Sequence, residues 1–257
     1  LTVRFSKEGR VSIARGRTAL LDPFCESRIG LVEFSTYEVQ VGPFRGDFVF
    51  KADAGQVALE ENGPLRAVVR MKGWHWNHKG ERVSPSVIRF ELYRGKPLVR
   101  VMHTFVMSEN PNEVMVRDIE LVSRLPGVET TVCELGAEQP VALSLAGREG
   151  ACLLQYDAGE LHYPHLNQGE PRCDVVQDVG WRKRVAAGAR AQGWLRAASG
   201  RRAVTVALPF MRESWPKGLG ARADGEIRAG LWPREVGPWD LRRVEIRYPV
   251  PGYFLEY

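Results

Sequence analysis

Apolar and polar residues alternate one by one along the middle of this chain, and that rhythm confines it to half-buried β-strands. In Leu65-Arg66-Ala67-Val68-Val69-Arg70-Met71-Lys72, the residues Leu65, Ala67, Val69 and Met71 fall on one side, and Arg66, Arg70 and Lys72 on the other. Successive strand side chains point to opposite faces, so a period of two sets one face against a core and the other in water. Ile88, Phe90 and Leu92 alternate likewise with Arg89, Glu91 and Tyr93. Val99, Val101, His103 and Phe105 alternate with Arg100, Met102 and Thr104, and Ile119 and Leu121 with Asp118 and Glu120. Gly63-Pro64, Arg94-Gly95-Lys96-Pro97 and Asn110-Pro111-Asn112 separate these runs, and Gly and Pro at such points preset reversals of direction. The spacing predicts a meander of four long strands over 63–125, an antiparallel sheet with one wet face.

The second half continues in kind, with strands expected at 129–135, 141–145, 151–155, 191–197, 204–208, 227–231 and 244–248. A short turn or helix is expected at 212–219, limited by Pro216, and 161–177 reads as a long loop. More than a dozen strands with very little helix exceed an immunoglobulin-type sandwich. They fit an all-β fold of two large packed antiparallel sheets, a supersandwich. At 257 residues the chain suits a single β domain over 1–257, since such domains run to roughly 200–250 residues. It begins at Leu1 without a basic-then-apolar leader, and the expectation is a segment of a longer multidomain protein, with a secreted or cell-surface location favoured over a cytoplasmic one.

The net charge of +5 comes from arginines scattered singly along strands, among them Arg66, Arg70, Arg89, Arg100 and Arg117. Nucleic-acid binders concentrate such charge on one helix or stripe, so no nucleic acid is expected. The plainer reading of these arginines is solvated strand faces; the functional one is a modest attraction for polyanions, with an acidic polysaccharide or oligosaccharide as partner. No apolar run approaches the ~18–20 residues of a membrane helix, so no membrane partner is expected. Cys25, Cys133, Cys152 and Cys173 form no C-x-x-C pair, which argues against zinc. They read as buried thiols, with one or two bridges left open. No cofactor is expected, and scattered carboxylates leave calcium open.

Trp74-His75-Trp76-Asn77-His78 is the most unusual segment. On a continuing strand Trp74, Trp76 and His78 face one way, and His75 and Asn77 the other. Indoles give large, rigid stacking surfaces, and with His and Asn beside them they make a candidate saccharide platform. The plainer reading is two tryptophans closing a sheet edge. His103 is in phase with apolar neighbours, which suits a satisfied core histidine; lining a cleft, it would be a base near neutral pH. Arg89, Tyr93 and Arg100 flank it on the hairpin around Gly95. His162, Tyr163 and His165 lie in a polar segment where no third ligand supports a metal site, which leaves a polar binding loop or a plain solvated loop. Trp215 and Trp232 belong to aromatic–proline elements read as platform edges or loop packing. Glu91 and Asp118 read as surface charges.

The run Asn62-Gly63-Pro64-Leu65-Arg66-Ala67, then Arg89-Phe90 through Tyr93-Arg94-Gly95-Lys96-Pro97-Leu98-Val99-Arg100-Val101, then His103-Thr104-Phe105, resembles the central β-sandwich of exo-acting rhamnogalacturonan lyases and their YetA-like relatives. Trp215-Pro216-Lys217 and Gly230-Leu231-Trp232-Pro233 look like that group as well. The resemblance implies a galactose-mutarotase-like supersandwich flanked by other domains, and β-elimination next to a uronate of a pectic polysaccharide. A cation neutralises the carboxylate, a base takes the C5 proton, and an acid protonates the departing oxygen. On chemical grounds His103 or His75 would be the base, Tyr93 the acid, and Arg89, Arg100 or Lys217 the carboxylate partner. Three rival readings remain. One is a non-catalytic carbohydrate-binding or scaffold domain. The second is a mutarotase or epimerase pairing His103 with Glu91 or Asp118. The third is a structural module of a surface or phage-like assembly, which asks nothing of the aromatic–His segment.

Overall fold

The computed structural model describes residues 1–34, 41–127, 129–157, 172–177, 183–200 and 202–239. Among them there is no α-helix, and large antiparallel sheets form a sandwich, as the alternation predicts. The chain divides into two compact units, one built on Leu1–Thr18 and Pro23–Arg117, the other on Ala19–Asp22 and Asp118–Gly237.

In the first unit, β1 (Thr2–Phe5) and β2 (Val11–Arg15) form an antiparallel pair. β3 (Thr18–Leu21) follows and lies largely in the second unit. The first unit's main sheet runs β4 (Glu26–Phe34), β5 (Val41–Asn62), β6 (Arg66–Trp76), β7 (Arg82–Tyr93), β8 (Val99–Phe105), each strand antiparallel to the one before. Its inner face buries Ile29, Leu31, Phe48, Phe50, Met71, Ile88 and Phe90. The β1–β2 pair covers part of that face, with the Phe5 ring edge-on to Phe90 at 5.4 Å. Burying such side chains contributes roughly 1.5–3 kcal/mol apiece.

Burial departs from the simple alternation at the start of β6. Leu65, just ahead of the strand, is 76% exposed although its phase is that of the core side. Val68 keeps its phase on the solvent face, across from Glu91, yet is buried among long arginine and glutamate side chains. β5 carries irregularities between Ala52 and Val57 and between Leu59 and Glu61, and extra residues of this kind bend and twist a strand. The four-strand meander also loses its last member. β9 (Val114–Arg124) pairs with the final strand of the second unit. Its burial on both faces calls for a central position, which an edge beside β8 would not provide.

Gly73 is needed where β5 and β6 approach most closely. A Cβ there would lie 2.0 Å from the Lys51 carbonyl oxygen and 2.8 Å from Ala52 Cα. Both are backbone atoms of a paired strand, so relief requires the strands to part. Gly73→Ala is expected to lower stability by about 3 kcal/mol. Urea denaturation measures this, and a variant matching the parent's midpoint would refute the close approach.

In the second unit a four-stranded sheet runs in the order β11-β10-β15-β16, with β10 (Val132–Leu135), β11 (Val141–Ser144), β15 (Trp194–Ser199) and β16 (Arg202–Ala207). The larger sheet runs β14-β13-β12-β17-β18-β9, with β12 (Gly150–Asp157), β13 (Arg172–Gln177), β14 (Lys183–Gly188), β17 (Lys217–Arg222) and β18 (Glu226–Trp232). Leu135, Leu195, Leu153, Val175, Leu219 and Ile227 form its core. Of the turn or helix expected at 212–219, the structure forms the turn, and β17 takes the residues from Lys217 on. Pro216 disfavours helical geometry in Trp215 and brings no N–H of its own, and the chain makes a turn at 209–214 before entering the sheet. β13 likewise occupies the end of the stretch read as loop, because Cys173, Val175 and Val176 are buried there. Cys133, Cys152 and Cys173 are buried free thiols, and desolvation pushes the Cys133 thiol up to about 12. The strand expected at 244–248 lies outside the described residues.

Candidate functional site

The sheet of the first unit separates the sequence-derived candidates onto two faces. On the solvent face β6 and β7 bring Trp74, Trp76 and Arg82 together. Trp76 and Arg82 are register partners flanking the β6–β7 turn. The Arg82 guanidinium carbon lies 4.5 Å from the Trp74 ring centroid and 6.0 Å from that of Trp76, within cation–π range of both. Both indoles are half-buried and Arg82 is exposed. Lys51, also exposed, pairs in register with Trp74 from β5.

Asn77 builds the turn. Its Oδ1 accepts from the backbone N–H of Lys79 (3.0 Å) and Glu81 (2.9 Å), and its Nδ2 donates to Glu81 Oε2. This is the local side-chain bonding for which asparagine is favoured in turns. Gly80 takes φ +81° there. Asn77 is therefore occupied in holding the loop, while His78 is exposed at its tip. Arg82 escaped the sequence reading because cross-strand register is not encoded in a two-residue period. The available signal was the turn-forming Asn77 and Gly80 immediately ahead of it.

Farther along the same face lies a network of arginines and glutamates. Glu60 accepts from Arg89 Nε (2.7 Å) and Arg70 (3.1 Å). Arg89 holds its carboxyl below the usual carboxylate range. Arg66 binds Glu61 at 2.5 Å and lies 3.7 Å from Glu91, which is also 3.6 Å from Arg100. The Tyr93 hydroxyl donates to Glu91 at 2.6 Å. Glu91 is buried rather than a surface charge, enclosed by its cationic and phenolic partners. Arg66, Leu65 and Tyr93 help line an open depression of about 340 Å³. From Arg66 to Trp76 the strand spans ten residue steps, roughly 33 Å at about 3.3 Å each. The solvent face is thus a long strip with aromatics at one end and a tyrosine–arginine depression at the other.

His75 and His103 occupy the opposite, inner face, at 0% and 2% exposure. Ser27 of β4 lies between them, its Oγ 2.8 Å from His75 Nε2 and 3.2 Å from His103 Nε2. His75 Nδ1 lies 3.0 Å from the Ser84 carbonyl. A carbonyl only accepts, so Nδ1 carries the proton, and His75 Nε2 accepts from the Ser27 hydroxyl. Ser27 Oγ then accepts from His103 Nε2–H. His103 Nδ1 is left as a bare acceptor without a partner. Phe50 and Phe105 pack against the two imidazoles. Burial lowers their pKa values to about 4 for His75 and about 3 for His103, so both are neutral at pH 7. They face away from Arg89, Tyr93 and Arg100, which lie across the sheet, as does Glu91.

Lys217, Trp215 and Trp232 belong to the second unit. Lys217 is buried, and its Nζ donates to the carbonyls of Leu231 (2.9 Å) and Pro216 (3.2 Å). Desolvation lowers its pKa to about 7. Trp232 is buried and its Nε1 donates to the Gly237 carbonyl at 2.8 Å; Trp215 is half-buried. The same unit buries Asp118 and Glu120, against the surface reading of Asp118. Arg234 donates to Glu120 at 3.0 Å, yet desolvation still raises the Glu120 carboxyl to about 7. His162, Tyr163 and His165 lie outside the described residues. Among the described residues no group of three His, Cys, Asp or Glu is placed to hold a metal ion.

Residues 31–130 match the family model described as the PcRGLX-like protein central beta sandwich domain. This stretch holds the whole solvent-face strip, and it supports a rhamnogalacturonan lyase-like central β-sandwich, as the resemblance in the sequence implies. A comparison with curated proteins gave no match.

Proposed function

We propose that this chain is a carbohydrate-binding sandwich of a polysaccharide lyase-like protein, and that it holds an acidic polysaccharide along the solvent face of β5–β8. The observation that carries the reading is the Trp74–Trp76 pair with Arg82 over both rings. Half-buried indoles offer sugar rings a rigid apolar surface at small entropic cost, and the surrounding arginines favour an anionic chain. The histidines are buried in the core on the other face, which supports a structural role for them. Trp76→Ala is expected to weaken binding to polygalacturonate or rhamnogalacturonan roughly tenfold or more. Affinity electrophoresis reads this, with circular dichroism to confirm folding, and unchanged mobility retardation would sink the reading.

A second reading, β-elimination, is favoured by Tyr93 at the depression with Arg66 and Arg100 around Glu91. There an arginine would neutralise the uronate carboxylate, the Glu91 carboxylate would take the C5 proton, and the Tyr93 phenol would protonate the departing oxygen and be reprotonated from Glu91. Absorbance near 235 nm, where the eliminated uronate absorbs, separates the two readings. A rise that Tyr93→Phe abolishes favours elimination, and a flat trace from folded, polysaccharide-binding protein favours binding alone.

A further inference from the structure

We infer that Arg82 is the specificity-determining residue of the Trp74–Trp76 platform, reading a carboxylate so that the platform selects acidic over neutral saccharides. The inference rests on the binding reading above. Five arginines lie on β6–β8, and four have carboxylate partners: Arg66 with Glu61 and Glu91, Arg70 and Arg89 with Glu60, and Arg100 with Glu91. Arg82 differs. It is exposed and lies over two indoles, and among the described residues no carboxylate pairs with it. Its nearest acidic neighbour in sequence, Glu81, is engaged by the Asn77 amide.

Ring contact holds a guanidinium in place without using its hydrogen-bond donors. Arg82 therefore keeps its charge unneutralised and its N–H fork available, held where a sugar stacked on Trp76 would present its substituents. The Asn77 turn fixes that position before any ligand arrives, which reduces the ordering cost on binding. A carboxylate matches the planar fork with two parallel hydrogen bonds and an opposite charge, whereas a hydroxymethyl oxygen accepts from it without charge pairing or the bidentate geometry. Lysine would supply the charge but not the fork. Lys51, exposed on the neighbouring strand, adds attraction without that geometry.

The test is isothermal titration of the whole chain with tetragalacturonate and with its carboxyl-reduced, neutral counterpart. It is run at about 0.15 M salt, where diffuse surface charge is largely screened beyond about 8 Å. The parent is expected to prefer the acidic tetrasaccharide by roughly tenfold or more. In Arg82→Gln the ratio of the two affinities should fall to about one, and Arg82→Lys should recover only part of it. An Arg82→Gln protein that keeps the parent's ratio overturns the inference while leaving the platform intact. Failure of the parent to bind either tetrasaccharide, or indifference of both to Trp76→Ala, overturns the platform itself and the inference with it.

Discussion

Acidifying the protein from pH 7 to pH 4 is expected to remove about 3 kcal/mol of stability through His103 and a similar amount through His75. Both imidazoles have folded-state pKa values, about 3 and about 4, below the 6.5 of an unfolded chain. Between pH 6.5 and 4 the unfolded chain therefore binds more protons, and stability falls as the pH drops. The structural cause is specific. A second proton on His103 would enter at Nδ1, which has no acceptor. One on His75 would enter at Nε2, against the hydroxyl of Ser27, which would then face N–H donors from both rings. Urea denaturation of the parent and His103→Leu across this range is the measurement. The parent should lose about 3 kcal/mol relative to the variant, and the difference cancels Glu120, whose raised pKa acts with opposite sign in the same window. Parallel stability curves would show that His103 ionises freely and that the buried network has been misread.

The contrast between the two faces of β6 shows what the sequence carries and what it withholds. Alternation alone places Trp74 and Trp76 opposite His75, and the structure agrees, because a period of two survives wherever a strand remains regular. Turn chemistry at Gly63-Pro64 and Gly95-Lys96-Pro97 likewise marks the start of β6 and the β7–β8 turn. Leu65 is exposed against its phase because it lies just ahead of the first residue of β6, a boundary that periodicity does not mark. Arg82 was missed for a related reason: its partners are defined by register across a turn and not by spacing. Glu91 and Asp118 look like surface charges from phase alone. Burial of a carboxylate depends on cations contributed by other parts of the chain, here Arg66 and Arg100 from neighbouring strands for Glu91, and Arg234, past the end of β18, 3.7 Å from Asp118. His75 and His103 share a face, as their phases imply, yet the link between them is Ser27, 48 and 76 positions away.

Raising the pH from 7 to 10 is expected to stabilise the parent by about 3 kcal/mol relative to Lys217→Met. Lys217 has a folded-state pKa of about 7 against 10.5 when unfolded. Its lowered value means the unfolded chain holds more protons between pH 7 and 10.5, so stability climbs through that window and changes little below it. Desolvation is the cause: the ammonium is taken from water into the sheet. Its two carbonyl contacts, on Pro216 and Leu231, tie the start of β17 to the end of β18. Methionine keeps the length and apolar stem but cannot ionise, so its stability curve should lack the alkaline rise. Losing the two hydrogen bonds costs about 1 kcal/mol each at any pH, which shifts the variant's curve without changing its slope. A lysine engaged on a uronate would behave differently. It would be exposed and charged at neutral pH, and its loss would register in binding, with the alkaline stability profile unchanged. Equal slopes for parent and variant in denaturation series at pH 7, 8.5 and 10 would therefore argue that Lys217 is solvated, and would restore it as a candidate for the carboxylate.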